Sequence, residues 1–419
     1  MRTILALLVA VCISCGPNGG SNPAITAPTI VSFSGPPSVS YGQTATLSWA
    51  LSGSPLTKIA ITTDASVTNT LPNVDLGSNS AFVVPRNTQN FTLTVTNSAG
   101  SSSKTVSVKS LGVDILSNSK NIFMSVLAKD AVGNIYAVSE PLGVIYKYTP
   151  EGVSYVFYSV GQVGSMLWSP YYNAFIISDR VNLSRADLSG NTEILIPKFE
   201  YNVGAVSRAG VIYAYNPIAF DHKITVFKSN GLDSTITGGA DFFPARMLLD
   251  QKEENLYVMG GISNIFSSIL DGIPTLTGSF ANVIYKVKLS DKSISLVAGK
   301  FIVDDMIGGY ADGPGASALF SVLGPAILSN DGNDILITDL RNGVVRKFNL
   351  ATSQVDTIAG TPLEAPNNLI APFTPGSYTN SRFIPWGIVQ TDSGDIVISV
   401  SGNSSGGLIN PSPLFVITR

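Results

Sequence analysis

Histidine, cysteine and charged residues are all scarce in this chain of 419 residues. His222 is the single histidine, whereas a catalytic zinc site commonly takes three protein ligands that include two or more histidines. Both cysteines, Cys12 and Cys15, lie near the N-terminus, so the rest of the chain has no disulfide framework. The sequence therefore predicts neither a histidine-rich zinc enzyme nor a disulfide-stabilised fold.

Charge is also low. Charged residues make up 13% of the chain, about half of the usual ~25%, and the formal net charge is −3. Because lysine and arginine form no cluster, we expect no electrostatic binding to nucleic acid. Hydrophobic residues reach 44%, and 39 glycines and 24 prolines interrupt them. Short apolar runs between frequent turn residues are typical of an all-β protein and not of a disordered chain.

The N-terminus predicts a secretory signal that ends in a lipid anchor. Arg2 precedes an apolar run at residues 4–13, which is too short to cross a bilayer because that takes about 20 residues. The segment 12–16, Cys-Ile-Ser-Cys-Gly, resembles the bacterial lipobox, and the resemblance implies that Cys15 carries acyl chains. We therefore expect a signal peptide at 1–15, a flexible tether at 16–28 and a lipid-anchored protein of the bacterial cell envelope, either periplasmic or exposed on the outer membrane. A plain signal peptide and an uncleaved transmembrane anchor are the alternatives.

Residues 29–110 alternate apolar and polar positions over short runs, a period of two that indicates an antiparallel sandwich. Trp49 closes one of these runs and is interpreted as a core residue. Residues 42–49 and 91–100 resemble a strand and a strand-turn unit of bacterial immunoglobulin-like domains. The resemblance implies an immunoglobulin-like β-sandwich, a module that serves as a spacer or as an adhesive unit.

Similar apolar runs recur through the rest of the chain, each after a turn. The first four begin 40, 37 and 44 residues apart, and six runs begin at Asn134, Ala174, Val211, Asn255, Asp334 and Asp395. Strands that recur at such a period predict a propeller or a β-solenoid, because one unit cannot cover both of its faces alone.

Residues 308–360 carry the most detailed version of this repeat. Gly-Tyr-Ala-Asp-Gly at 309–313 is followed by Ala-Leu-Phe at 318–320, by Asp339 and Arg346, and by Thr-Ile-Ala-Gly at 357–360. This pattern resembles an NHL repeat, and the resemblance implies a six-bladed β-propeller over residues 112–419. The last blade lacks an outer strand, and we expect the run at 112–117 to supply it and to remove an exposed edge. The predicted fold is therefore all-β, with an immunoglobulin-like β-sandwich followed by a six-bladed NHL-type β-propeller.

Long loops on one face of this propeller form the predicted binding site, because binding residues concentrate on loops held by a rigid scaffold. The candidate residues are aromatic and acidic: Asp179, Tyr201, Phe220, Asp241, Phe242, Phe243, Tyr310, Asp312 and Phe383. An aromatic, mildly acidic mouth suits a protein, a peptide or a glycan as the ligand. The alternatives are that the aspartates bond to turn amides and that the aromatic rings pack within their own loops.

Two adjacent carboxylates, Asp304 and Asp305, are the candidate ligands for Ca²⁺, which prefers six to eight oxygens. No other cofactor is expected. No Gly-x-Ser-x-Gly motif or Ser-His-acid set stands out. The sequence therefore favours a monomeric binding protein over an enzyme. A Ca-dependent hydrolase of the lactonase type, a lyase and a structural surface spacer are the alternatives.

Overall fold

The structure is a computed structural model in which β-strands make up the folded chain. It describes residues 24–53, 55–63, 74–85, 88–116, 124–139, 142–149, 154–159, 161, 163–217, 222–228, 231–262, 269–270, 273–274, 280–301, 309–362, 375–400 and 414–418. These residues contain strands and no α-helix, and the strands form small sheets that are almost entirely antiparallel. Within these ranges, no helix has the length and hydropathy needed to span a membrane.

Two sheets pack face to face at the N-terminal end of the described chain. Their strands are β1 (Thr29–Ser34), β2 (Ser38–Ser40), β3 (Ala45–Ser52), β4 (Lys58–Thr63), β5 (Ser80–Val83), β6 (Thr88–Asn97) and β7 (Gly100–Ile115). One sheet has the order β1-β3-β5, and β4, β6 and β7 form the other, with β2 parallel to β7. Burial alternates along β3 and β6, so every second side chain enters a shared core. Trp49 is buried in that core, as predicted, and its Nε1 donates to the Ser78 carbonyl at 2.9 Å.

The strands that follow form further small sheets. In chain order they are β8 (Val126–Lys129), β9 (Ile135–Ser139), β10 (Val144–Tyr148), β11 (Ser154–Ser159), β12 (Ser165–Ser169), β13 (Ala174–Ser178), β14 (Asn182–Ala186), β15 (Thr192–Pro197), β16 (Asn202–Val206), β17 (Ile212–Tyr215), β18 (Lys223–Lys228), β19 (Gly231–Thr237), β20 (Pro244–Leu249), β21 (Asn255–Ile262), β22 (Ile269–Leu270), β23 (Ile273–Pro274), β24 (Phe280–Lys288), β25 (Ile294–Phe301), β26 (Gly313–Pro314), β27 (Leu323–Leu328), β28 (Asp334–Asp339), β29 (Val344–Asn349), β30 (Gln354–Ala359), β31 (Pro385–Gln390), β32 (Ile396–Val400) and β33 (Leu414–Thr418).

In the described ranges, these strands belong to six sheets of at least four strands each. We call β8, β12, β16, β20, β27 and β31 the first strands of these sheets, and the strand that pairs with each of them its second strand. Each first strand contacts the first strands of two other sheets, and the contacts close a cycle from β8 back to β8. A hydrophobic cluster fills the space between each pair of neighbouring sheets. We refer to this arrangement as the ring of sheets.

The second strands show why the sequence contains continuous apolar runs. Every described side chain of β9, β13, β17 and β32 is buried. A strand covered on both faces by neighbouring sheets has no exposed side, so its sequence does not alternate between apolar and polar positions.

The last sheet is completed by β7, which pairs antiparallel with β33 through Gly112–Thr418, Val113–Ile417 and two further residue pairs. The expectation that the run after residue 111 supplies the missing outer strand is therefore confirmed. The same strand pairs with β6 through residues 100–109. β7 thus crosses the predicted domain boundary near residue 111 without a break.

Candidate functional site

In each sheet the first and second strands pair antiparallel, so the start of the first strand and the end of the second strand lie at the same edge of the ring of sheets. Asn202 opens β16 and pairs with Tyr215, the last residue of β17, and Ser165 opens β12 and pairs with Ser178 at the end of β13. Since the first strands contact one another around the ring, the edge where they start surrounds the centre of the ring. We call it the mouth.

A buried arginine organises the sheet that contains the NHL-like pattern. Arg346 on β29 is fully buried, and its Nη1 lies 2.9 Å from Asp339 Oδ2 while its Nη2 lies 2.8 Å from Asp312 Oδ1. The rings of Tyr310 and Phe320 each lie with their centroid 5.0 Å from the guanidinium carbon. Two carboxylates and two aromatic faces therefore surround one cation, which is the environment that a buried arginine needs.

Asp339 is buried together with that arginine and also accepts from the Asn342 amide at 2.8 Å and from the Ser321 backbone N–H at 2.9 Å. Burial raises the pKa of Asp339 to about 6, against the opposing effect of Arg346 and the two other donors. At neutral pH the carboxylate is still ionised, so the ion pair is intact.

Tyr310 and Asp312 lie together in this arrangement, at the side of β30, and not with the other predicted mouth residues. The Asp312 carboxylate accepts from the Thr357 backbone N–H at 3.0 Å as well as from Arg346, and the Tyr310 hydroxyl lies 2.8 Å from Thr357 Oγ1. Their polar groups hold the repeat together. The sequence predicted them as ligand contacts because tyrosine and aspartate serve both in ligand binding and in hydrogen bonds that hold a fold together.

Two predicted aromatic contacts are core residues instead. Phe242 is 2% exposed and packs edge-on against Tyr285, with ring centroids 5.2 Å apart. Phe383 is 1% exposed and belongs to the cluster that joins the fifth and sixth sheets. Each ring fills a gap between two sheets and is almost completely buried in this structure, and ligand contact by these two rings stays a prediction.

Asp179 and Tyr201 both lie at the mouth, where the Ser178 hydroxyl donates to the Tyr201 carbonyl oxygen at 2.5 Å. The Asp179 carboxylate accepts from the backbone N–H of Val181 at 2.8 Å and of Asn182 at 2.5 Å. Tyr201 is half-buried against Phe199 and Phe227. Asp179 thus closes the turn after β13, and Tyr201 keeps only part of its surface accessible.

Asp241 and Phe243 stand at the start of β20. Asp241 is exposed and its carbonyl accepts from the Tyr285 hydroxyl at 2.7 Å. Phe243 packs against the His222 ring with centroids 4.4 Å apart, and His222 Nδ1 lies 3.2 Å from the Phe242 carbonyl oxygen. The single histidine is therefore engaged in local packing at the rim of the mouth.

A polar group that the sequence did not predict lies across three neighbouring sheets at the mouth. The Tyr215 hydroxyl accepts from Arg246 Nη1 at 2.7 Å and from Asn202 Nδ2 at 3.3 Å. Asn202 Oδ1 and Arg180 Nε both flank Gly164, just before β12. We call Arg180, Asn202, Tyr215 and Arg246 the mouth cluster. No local motif marks these residues, because they come together only when the ring forms.

The remaining candidates lie outside the described residues: Cys15, Phe220, Asp304 and Asp305. Within the described ranges, no group of three or more His, Cys, Asp and Glu side chains is placed to hold a metal ion. The predicted calcium site therefore stays a prediction.

Comparison with known proteins identifies neighbours by structure and not by sequence. No family model matches the chain, and no curated protein matches it. An auxiliary nutrient binding protein from Bacteroides ovatus is similar in structure, with a TM-score of 0.58 and 12% identity over 94% of this chain and 97% of that one. A protein of the same description from Bacteroides thetaiotaomicron has a TM-score of 0.52 and 15% identity over 94% and 98%. The structural neighbours are β-propeller-like proteins, and at these identities the likeness shows the fold alone.

Proposed function

We propose that this chain is a membrane-anchored binding protein of the bacterial cell envelope. An immunoglobulin-like domain carries a six-bladed NHL-type β-propeller, and the mouth of the propeller recognises a protein, a peptide or a glycan. The closed cycle of first strands supports the propeller architecture. The description of two structural neighbours as auxiliary nutrient binding proteins agrees with a binding role.

The observation that carries the proposal is the polar group at the mouth. The Tyr215 hydroxyl, which is held by Arg246 and Asn202, links side chains from two sheets around the centre of the ring. Binding sites typically combine such a small set of fixed polar groups with a preformed concave scaffold. Two of the predicted mouth residues supply an accessible rim, with Asp241 exposed and Phe243 half-buried.

The binding proposal is tested with the full-length protein on arrays of glycans and peptides. We expect a specific ligand whose binding weakens about tenfold in Tyr215→Phe, because the variant removes the hydroxyl that the two neighbours contact. The matched control is Tyr155→Phe, at an exposed tyrosine on an outer strand away from the mouth. Absence of any array ligand, or equal weakening in both variants, contradicts a binding site at the mouth.

The lipid anchor is tested separately by Cys15→Ala. We expect this variant to leave the membrane fraction, because acyl chains anchor a protein through about 0.8 kcal/mol per buried CH₂ group and the variant cannot be acylated. Membrane fractionation followed by a high-salt wash is the measurement, with Cys12→Ala as the matched control. A Cys15→Ala protein that stays in the washed membranes is evidence against acylation at this residue.

A further inference from the structure

The mouth cluster has more hydrogen-bonding capacity than the described residues use. Asn202 is only 4% exposed, yet its Oδ1 has no hydrogen-bond partner within the described part of the chain. Arg180 Nε is also buried and lacks a partner among the described residues. Since buried polar groups in folded proteins are almost always satisfied, an acceptor and a donor left open side by side indicate a missing polar group.

Arg180 and Arg246 bring two guanidinium groups to this place. The described ion pairs include neither Arg180 nor Arg246, and the hydrogen-bond acceptors of Arg246 are the neutral Tyr215 hydroxyl and the Ala245 carbonyl. The nearest acid in sequence, Asp179, directs its Oδ1 to two turn amides. Two guanidinium groups thus lack an anionic partner among the described residues.

Gly164 lies directly against both open atoms. A methyl group at this position would stand 2.4 Å from Asn202 Oδ1 and 3.2 Å from Arg180 Nε, which is too close for the present arrangement. A side chain at this position would therefore displace the Asn202 amide or the Arg180 side chain. Gly164 does not need a left-handed backbone, since its φ lies outside that region, so the conformation alone does not explain the glycine.

We propose that the mouth cluster is the subsite for a carboxylate group of the ligand, an inference that rests on the proposed binding function. Arginine side chains match the planar geometry of a carboxylate and bind it through charge-assisted hydrogen bonds. Arg180 and Arg246 take the carboxylate oxygens, and Asn202 Oδ1 accepts from a donor next to the carboxylate. A sugar acid supplies such a donor as a ring hydroxyl, and a peptide C-terminus supplies it as a backbone N–H.

The experiment measures binding of four probes to the full-length protein by calorimetry: digalacturonate, its methyl ester, a short peptide with a free C-terminus and the same peptide amidated. We expect one acid to bind, with its neutral counterpart at least about tenfold weaker, because the ester or amide lacks the charge. The member of the pair that binds identifies the source of the carboxylate. Heat-unfolding midpoints with and without each probe give a second readout, because a ligand that binds the folded state raises them.

Two matched pairs of variants locate the subsite. Gly164→Ala places a methyl group between the open atoms, whereas Gly161→Ala, three residues earlier, meets no atom within 4 Å. Arg246→Gln removes a charge at the mouth, whereas Arg208→Gln removes one beyond the other end of β16. We expect the first member of each pair to weaken acid binding by about tenfold or more and the second to leave it unchanged.

Each outcome decides the inference. Equal binding of the acid and neutral probes, or acid binding that Gly164→Ala and Arg246→Gln leave intact, overturns the carboxylate subsite but not the binding proposal, which the arrays test independently. Failure of all four probes to bind at about 10 mM, a concentration at which even very weak complexes form, also overturns it. If every ligand found on the arrays lacks a carboxylate, the proposed binding function is supported and the carboxylate subsite is overturned.

Discussion

Arg346 balances the most deeply buried charges of the ring of sheets. Its side chain has no exposed surface and contacts Asp339, Asp312 and the Leu319 carbonyl oxygen. Arg346→Ala leaves the buried Asp339 carboxylate without its cation, so we expect a loss of about 3–5 kcal/mol in the free energy of unfolding. Chemical denaturation measures this loss of unfolding free energy. Arg185→Ala breaks an exposed pair with Glu193 and should cost no more than about 1 kcal/mol; similar losses in both variants would contradict this account.

The pH dependence of stability follows from Asp339. Burial raises the pKa of its carboxyl from 3.8 to about 6, so between these values the folded state holds a proton that the unfolded state has released. This group therefore adds stability below pH 4 that is lost as the pH rises through 6, at most about 3 kcal/mol from the difference between the two pKa values. Unfolding is measured from pH 7 to pH 4 for the native chain and for Asp339→Asn. We expect the native chain to gain stability relative to the variant as the pH falls, and parallel curves would refute the assignment.

The turn between β8 and β9 depends on an aspartate that binds the amides of its own turn. Asp130 accepts from the Val132 and Asn134 backbone N–H groups at 3.0 and 2.9 Å and from the Tyr136 hydroxyl at 3.1 Å, and it is 2% exposed. Asp130→Ala leaves the buried Asn134 N–H and Tyr136 hydroxyl without this acceptor, so we expect a loss of about 2–4 kcal/mol in unfolding free energy. Asp187 makes a similar set of bonds at an exposed turn, where water replaces the carboxylate. Thermal unfolding should therefore show a clearly smaller effect for Asp187→Ala, and equal effects would contradict the role of burial.

The strands were predictable from the sequence and the mouth cluster was not, for a physical reason. Apolar runs such as β9 and β13 indicate a local property, which is burial on both faces of the strand. The closing strand β7 was predictable because one apolar run had no partner strand in its own repeat. Asn202 and Arg246 are far apart in the chain and meet only at Tyr215, through packing of separate sheets. For the same reason an aromatic residue in a loop, such as Phe383, could not be assigned to the core or to the surface before the neighbouring sheet was known.

At the scale of the whole molecule, β7 couples the N-terminal sheets to the ring. It pairs with β6 through residues 100–109 and with β33 through residues 112–115. Both parts also bond to β7 outside these ladders, since the Tyr41 backbone N–H donates to the Leu111 carbonyl at 3.0 Å and the Gly376 N–H donates to the Val113 carbonyl at 3.1 Å. A continuous strand with partners on both sides transmits the unfolding of one part to the other, whereas a flexible linker would not.

This coupling predicts a single main unfolding transition in calorimetry. An insertion of about eight Gly and Ser residues after Ser110 interrupts the strand with a flexible segment, and we expect it to split the transition into two. The same insertion after Ser189, in an exposed turn between β14 and β15, should leave one transition, because surface turns tolerate added length at little cost. Two transitions in the native chain, or one after the insertion at Ser110, would show that β7 joins the two parts without coupling their stability.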